Sequence, residues 1–325
     1  MKKALIILSL IGLYMNTPAI AQESWPARPI KFIVPFPAGG SMDTFSRPIA
    51  LQLGKNLGVP VVVENRGGAG GAIGITEIAK SKPDGYTIGM SSIGNMVINP
   101  HIYKNLAYNP LSDFSYIGLA GKFVNVLEVN NKSSIESVKN LVDVSKENPG
   151  KITFGSAGNG STNHLSGELL KLLTGADFTH VPYRGSGPAL MDLQAGTITF
   201  MFDTLNTSMG HIKANTLRPL AVTSPKRSPF LPDVPTMDEM GITGYAEAGR
   251  ELWWGIIGPA GIPDAIQTKL STELAKALNS KEVMEQIKSQ YLETWSAGPQ
   301  EFSSIVQKDY KNWGNIVKKM NISIN

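Results

Sequence analysis

The chain contains no cysteine in its 325 residues. Disulfide staples, thiolate metal sites and a cysteine-linked lipid anchor are therefore excluded, and stability must come from packing alone. Histidine is scarce as well. The four present, His101, His164, His180 and His211, lie far apart in sequence without H-E-x-x-H or other metal-ligand spacing, and each reads as a satisfied or surface histidine. Charge of one sign is not in excess. Positions 1–21 hold two of the 30 Lys and Arg residues and none of the 26 Asp and Glu, which leaves 28 basic against 26 acidic residues, a net +2, over the other 304 positions. Such a balance offers no electrostatic case for nucleic acid or for a membrane face. No Walker sequence, no G-x-S-x-G elbow, no solenoid-length repeat and no low-complexity tract occurs.

The N-terminus carries a short basic region, Met1-Lys2-Lys3, then an apolar run over 4–13, then Ala19-Ile20-Ala21. The run is too short for a bilayer, which needs ~20 apolar residues. These features predict a secretory signal peptide over 1–21, cleaved before Gln22, and hence a periplasmic protein. The remaining chain suits two domains of ordinary size.

Short β-branched runs alternate with amphipathic ones. Strands are expected at 30–34, 59–63 and 86–90, with helices at 44–57 and 72–80 between them. The alternation restarts with strands at 124–129, 152–154, 179–182, 197–202 and 217–223, and helices at 137–147, 163–173 and 187–195. A Pro-rich irregular stretch follows at 225–244, then a strand at 253–257 and helices at 263–279, 281–290 and 299–319. This pattern predicts two α/β units with parallel sheets and helices on both faces. Pro48 conflicts with the first helix, because a proline that deep loses a bond and clashes with the preceding turn. The helix is expected either to begin near Pro48 or to have a distorted first turn.

Glycine-rich turns carry the functional signal. "PFPAGGSMD" ends the first strand, where ligands collect in open α/β sheets. Gly39 and Gly40 bare the backbone, Ser41 adds a hydroxyl, and Asp43 can cap the next helix, whose first N–H groups favour an anion. Alone, the motif fits a plain capped turn equally well. "FGSAGNGSTNH" occupies the same place in the second unit, with Ser156, Asn159, Ser161 and Thr162 as candidate donors to carboxylate oxygens. A helix cap is the plain alternative, but the match with the first loop favours ligand binding. "MSSIGN", with Ser92 and Asn95, and "FDT", with Asp203 and Thr204, could line the same cleft or lie in surface loops. "ENRGGAGGAIG" fails the dinucleotide register, since the first glycine falls on Ala69, and reads as a structural turn.

Seven segments in order resemble the Bug/TctC-type extracytoplasmic solute receptors of tripartite tricarboxylate transporters: "WPARPIKFIVPFPAGGSMD", "VVVENRGGAGGAIG", "KPDGYTIG", "NPGKITFGSAGNGSTNHLSGELLK", "HVPYRGSGPALMDLQAG", "RPLAVTSPKRSPFLPDVPTMDEMG" and "LWWGIIGPAGIP". "AGRELWW" departs from the family pattern at Arg250-Glu251. The resemblance implies a type II periplasmic binding protein fold, with a ligand cleft between two α/β domains. Domain 1 would take 22–123 plus 251–325, and domain 2 would take 124–250. The implied site residues are Phe36, Ala38, Gly39, Gly40, Ser41 and Asp43 on one loop, and Ser156, Gly158, Asn159, Gly160, Ser161 and Thr162 on the other. Asp203 matches the family's Phe-Asp position; Thr204, from the end of the same strand, and Ser92 and Asn95, from a strand end where the family pattern is loose, complete the candidate set.

The expected function is capture of a small organic carboxylate, whether dicarboxylate, tricarboxylate, aromatic acid or amino acid, for delivery to membrane permease subunits. No catalytic residue, metal, cofactor or nucleic-acid partner is expected, and the chain is expected to be monomeric. The alternatives are a same-fold sensor subunit signalling to a histidine kinase, and a secreted hydrolase using His164 with a nearby serine.

Overall fold

The computed structural model describes residues 25–245 and 251–324. The signal peptide expected at 1–21 and Arg250 lie outside the described residues. Two sheets organise the rest. A six-stranded sheet has the order β11-β4-β10-β3-β1-β2, built from β1 (Ile30–Val34), β2 (Val61–Asn65), β3 (Thr87–Ser92), β4 (Phe114–Phe123), β10 (Leu252–Pro259) and β11 (Glu293–Ala297). A five-stranded sheet has the order β7-β6-β8-β5-β9, built from β5 (Asn125–Asn130), β6 (Ile152–Ser156), β7 (Phe178–Pro182), β8 (Phe200–Thr204) and β9 (Leu217–Val222).

Both faces of the first sheet are buried, which is why its strands read as apolar runs rather than alternating ones. Along β1, Ile30, Phe32 and Val34 pack on one side with α1 (Ser41–Leu57), while Ile33 packs on the other. Along β10, Trp254 and Ile256 take the first side, and Trp253 and Ile257 the second. The second core continues without a break through Ile98, Ile102 and Trp313 into Leu165 and Leu169 of the other unit. The remaining helices are α2 (Ala72–Ala79), α3 (Asn99–Ile102), α4 (Val138–Glu147), α5 (Thr162–Thr174), α6 (Ser186–Ala195), α7 (Leu205–Lys213), α8 (Asp264–Leu278), α9 (Lys281–Ser289) and α10 (Pro299–Met320).

The sheets are mixed rather than parallel. β10 runs antiparallel to both β3 and β4, β11 runs antiparallel to β4, and β5 runs antiparallel to β8 and β9. The strands that carry the chain from one unit to the other reverse direction, and β4 escapes sequence detection because Gly118, Ala120 and Gly121 interrupt its apolar pattern. The strand expected at 197–202 begins at Phe200 instead. Gly196 adopts a left-handed cap on α6 and the Thr197 N–H bonds back to Asp192 O, so the turn consumes those residues. The first helix begins at Ser41, not near Pro48, and runs through the proline. The helix therefore forgoes the Pro48 N–H bond to the Thr44 carbonyl while its first turn stays in place.

Candidate functional site

A cavity of about 780 Å³ lies between the two units. Four helix N-termini open onto it. Gly40, Ser41 and Met42 come from α1, Ser161, Thr162 and Asn163 from α5, Gly185, Ser186 and Gly187 from α6, and Thr204, Asn206 and Thr207 from α7. Helix N-termini present N–H groups that lack intrahelical acceptors, and the aligned peptide dipoles add partial positive charge. Among the described residues no acidic side chain lines the cavity, and Arg184 is the one charged side chain that does. Phe36, Phe123, Trp254 and Leu190 supply apolar wall. Phe123 stacks on Trp254 with ring centroids 4.4 Å apart, and Phe45 braces the indole from 4.8 Å. The cavity thus suits a small anion with an apolar body.

Ten of the sixteen residues expected from sequence line this cavity: Phe36, Ala38, Gly39, Gly40, Ser41, Ser92, Gly160, Ser161, Thr162 and Thr204. The other six, Asp43, Asn95, Ser156, Gly158, Asn159 and Asp203, lie behind the wall. Asp43 is 2% exposed and its carboxylate is filled by the protein. Its Oδ2 accepts from the Gly39 N–H (2.8 Å) and Arg47 Nε (3.0 Å), and its Oδ1 accepts from Arg47 Nη2 (2.8 Å) and Asn65 Nδ2 (3.0 Å). Burial alone would raise its pKa, but the bonds from Arg47, Gly39 and Asn65 outweigh that and hold it below the usual carboxylate range. Asp43 therefore fixes the loop that ends at Gly40, which is itself the helix N-cap, and does not face the cavity.

On the second loop, Ser156 is fully buried, with its Oγ 2.6 Å from His180 Nε2, and it bridges Gly158. Asn159 turns its carbonyl to the Tyr103 hydroxyl (3.1 Å). Ser161 caps α5, accepting from the His164 N–H (3.3 Å) and donating to Gly158 O (2.7 Å). Its single hydrogen is spent inside the loop, so the donors this jaw can offer an anion are backbone N–H groups rather than the Ser161 hydroxyl. Asn95 lies within a π-helical turn (Gly94–Ile98) that rotates it into the core, where its Oδ1 accepts from the Ser92 N–H at 2.9 Å.

Two histidines far apart in sequence meet here. His164 and His180 stack with ring centroids 4.0 Å apart. His164 Nδ1 accepts from the Gly160 N–H (3.2 Å), which requires a neutral ring. Burial, followed by repulsion from His180 and Lys171, pushes His164 down to about 3, and burial pushes His180 down to about 4. Among the described residues no serine hydroxyl bonds the His164 ring, and the Ser156–His180 pair lies outside the cavity lining. Among the described residues no group of three or more His, Asp or Glu could hold a metal ion.

Sequence reasoning missed the contribution of α6 and, beyond Thr204, that of α7, and with them Arg184, Ser186, Asn206 and Thr207. The signal in "RGSGP" was available: a glycine N-cap with Pro188 in the first turn of α6 is a helix start after a strand, as in the other two loops. Asn206 also ties the units together, accepting from Ser41 Oγ (2.5 Å) and donating to Thr44 Oγ1 (3.3 Å) on α1.

Residues 45–322 match the family model described as "Tripartite tricarboxylate transporter family receptor". Among solved structures, periplasmic binding protein BugD aligns with a TM-score of 0.86 at 34% identity, over 92% of this chain and 99% of that one. Rpa4515 of R. palustris, solved with adipate, aligns equally well, with a TM-score of 0.86, 34% identity and coverage of 92% and 99%. MatC from Rhodopseudomonas palustris, with bound malate, gives 0.85 at 28% identity over 90% and 100%. The two-unit α/β architecture of periplasmic binding proteins, expected from sequence, is the fold of this chain.

Proposed function

The chain belongs to the receptor family of the tripartite tricarboxylate transporters, and on that premise we propose that it is a periplasmic receptor, not an enzyme, that captures a small organic carboxylate and delivers it to membrane permease subunits. The observation that carries this reading is the electrostatic character of the cleft: four helix N-termini and Arg184 face it, and among the described residues no acid does. Each aligned helix favours an anion by roughly 0.3–1 kcal/mol when exposed, and by more when partly buried. Closure of the two units around a carboxylate excludes water and strengthens these charge-assisted bonds. Binding then shifts an equilibrium between open and closed forms, and a permease can distinguish the two. The adipate and malate carried by Rpa4515 and MatC support a carboxylate guest. No helix among the described residues is long and apolar enough to cross a membrane.

The clamp residues of this reading are the first-turn N–H groups around Gly40, Ser41 and Met42 on one side and Thr162 and Asn163 on the other. A thermal-shift screen of organic acids tests it. At least one carboxylate should raise the melting temperature in a dose-dependent way. Absence of stabilisation by every carboxylate tested, with intact folded protein, overturns the proposal.

A further inference from the structure

The side-chain hydrogens of Asn163, Ser186 and Thr207 on one wall of the cleft can be counted, and all of them point away from the guest. Asp203 lies at the end of β8 with no exposure, and its carboxylate collects donors from three residues that line the cavity. Asn163 Nδ2 donates one hydrogen to Asp203 Oδ1 (3.0 Å) and the other to Phe202 O (2.9 Å). Both partners are acceptors, so the amide orientation is forced. Ser186 Oγ donates its only hydrogen to Asp203 Oδ1 at 2.6 Å. Thr207 Oγ1 shares its hydrogen between Asp203 Oδ2 (2.5 Å) and Thr204 O (2.7 Å). With these hydrogens committed, the side chains of Asn163, Ser186 and Thr207 can offer the cleft only lone pairs.

This is the opposite polarity to the helix N-termini beside them. A carboxylate oxygen gains from backbone N–H groups and is repelled by an acceptor wall. A guest that fills the cleft must therefore meet two chemistries at once. Leaving those acceptors unpaired in a closed cleft is costly, and this penalty is how a polar site rejects an analogue lacking a donor.

Resting on the carboxylate-receptor reading, we infer that the ligand carries a hydrogen-bond donor, a hydroxyl or an ammonium, in addition to its carboxylate, and that Asp203 is the positioning residue that turns Asn163, Ser186 and Thr207 into acceptors for it. The arrangement is expensive to maintain. Asp203 buries a charge beside Glu128, which is itself buried, and whose pKa is driven well above the carboxylate range first by burial and then by the Asp203 charge. An apolar or protonated group would pack there at lower cost, but it would not hold three donors in one direction.

The test uses matched acids differing only in the donor: propionate, lactate and alanine; succinate, malate and aspartate; glutarate, 2-hydroxyglutarate and glutamate. Affinities are measured by calorimetry at pH 8, where Asp203, pushed up to about 6 by burial, is ionised. In the series that binds, the hydroxy or amino acid is expected to bind about tenfold or more tightly than its donor-free counterpart. The hydroxy and amino arms identify which donor is read. In Asp203→Asn the new amide donates to Thr207, which keeps its own hydrogen on the Thr204 carbonyl, and the neutral oxygen left for Asn163 and Ser186 holds their hydrogens less firmly than a carboxylate, so the Ser186 hydroxyl is free to turn to the cleft. The ratio between donor-bearing and donor-free acids should then fall below about threefold. Ser186→Ala removes one acceptor while leaving Asp203 in place, and it should lower the same ratio should Asp203→Asn fail to fold. Equal affinity within every series overturns the inference and leaves the receptor reading standing. So does a variant that weakens all acids equally with the ratio preserved, since that marks a merely structural role. Binding of no acid in any series overturns the receptor reading and the inference together.

Discussion

Replacement of Asp43 by Asn tests how the first jaw is held. The carboxylate accepts four hydrogen bonds, two on each oxygen. An amide can keep the pair on Oδ2, from Gly39 and Arg47 Nε. It sets its NH₂ against Arg47 Nη2 and Asn65 Nδ2, which are donors. Two bonds to a charged acceptor are lost, at about 1.5–3 kcal/mol each. Arg47 is 53% exposed and can be rehydrated, which removes much of the ionic part. A net loss of about 2–3 kcal/mol remains. For a chain of this size it corresponds to a fall in melting temperature of roughly 3–5 °C. The pH dependence gives a second reading. The pKa of Asp43 is lowered by folding, so its contribution is present above the unfolded value near 3.8 and is lost as the pH falls through its lower folded value. The gap between wild type and variant should therefore be full at pH 7 and shrink progressively below pH 4. The assay is thermal unfolding of ligand-free protein at both pH values, with calorimetry for the ligand found in the acid screen. Affinity should drop about three- to tenfold as the loop loosens. A variant that melts within about 1 °C of wild type at pH 7 and binds unchanged refutes the account of Asp43 as the loop's anchor.

Three further outcomes are expected. Gly70→Ala places a Cβ 2.1 Å from the Asn159 carbonyl oxygen at a φ of +59°, so it should cost well over 1 kcal/mol and weaken binding by prising the two loops apart; Gly39→Ala, at φ +77° with open space around it, should cost only ~1 kcal/mol in denaturant melts. His164→Gln should flatten the acid dependence of stability. The native ring, with its pKa lowered to about 3, refuses the proton that the unfolded chain takes up below 6.5, so wild type loses stability relative to the variant as the pH falls, by about 2 kcal/mol at pH 5; parallel denaturation curves at pH 7 and 5 count against the assignment of a neutral buried ring. Asn206→Ala removes the bonds to Ser41 and Thr44 that span the cleft, and should lower ligand affinity about three- to tenfold and enlarge the radius of gyration of the ligand-free protein in small-angle scattering.

Much of the fold was legible because burial on both sheet faces writes itself into composition. The runs IKFIV and LWWGIIGP are apolar because Ile30 and Ile33, or Trp253 and Trp254, serve opposite cores. What escaped was local. β4 was hidden by glycines that admit neighbouring groups: a Cβ at Gly121 would stand 2.3 Å from the Phe45 ring. Strand direction was not legible either, because a strand returning from another unit looks the same as one following a helix. At the site, the glycine loops marked where backbone meets cleft. They did not reveal which polar side chains face it. Asp43, Asp203 and Ser156 share the loops with Ser41, Thr204 and Thr162, and only the three-dimensional wall separates those that organise donors from those that line the cavity.

The strand order carries a consequence for the order of folding. β10 sits between β4 and β3, and among the described residues no other strand joins the two halves of the six-stranded sheet. During synthesis from the N-terminus, β1, β2 and β3 can pair with one another, but the β3 edge and the facing edge of β4 stay unpaired until residues 252–259 arrive. The five-stranded sheet needs only the contiguous residues 125–222. The middle of the chain can therefore close first, while the segment that bears the first jaw waits with open sheet edges. Such edges invite wrong pairing between chains. A nascent or truncated chain ending before β10 should thus be the aggregation-prone species, and the second unit the piece most able to stand alone.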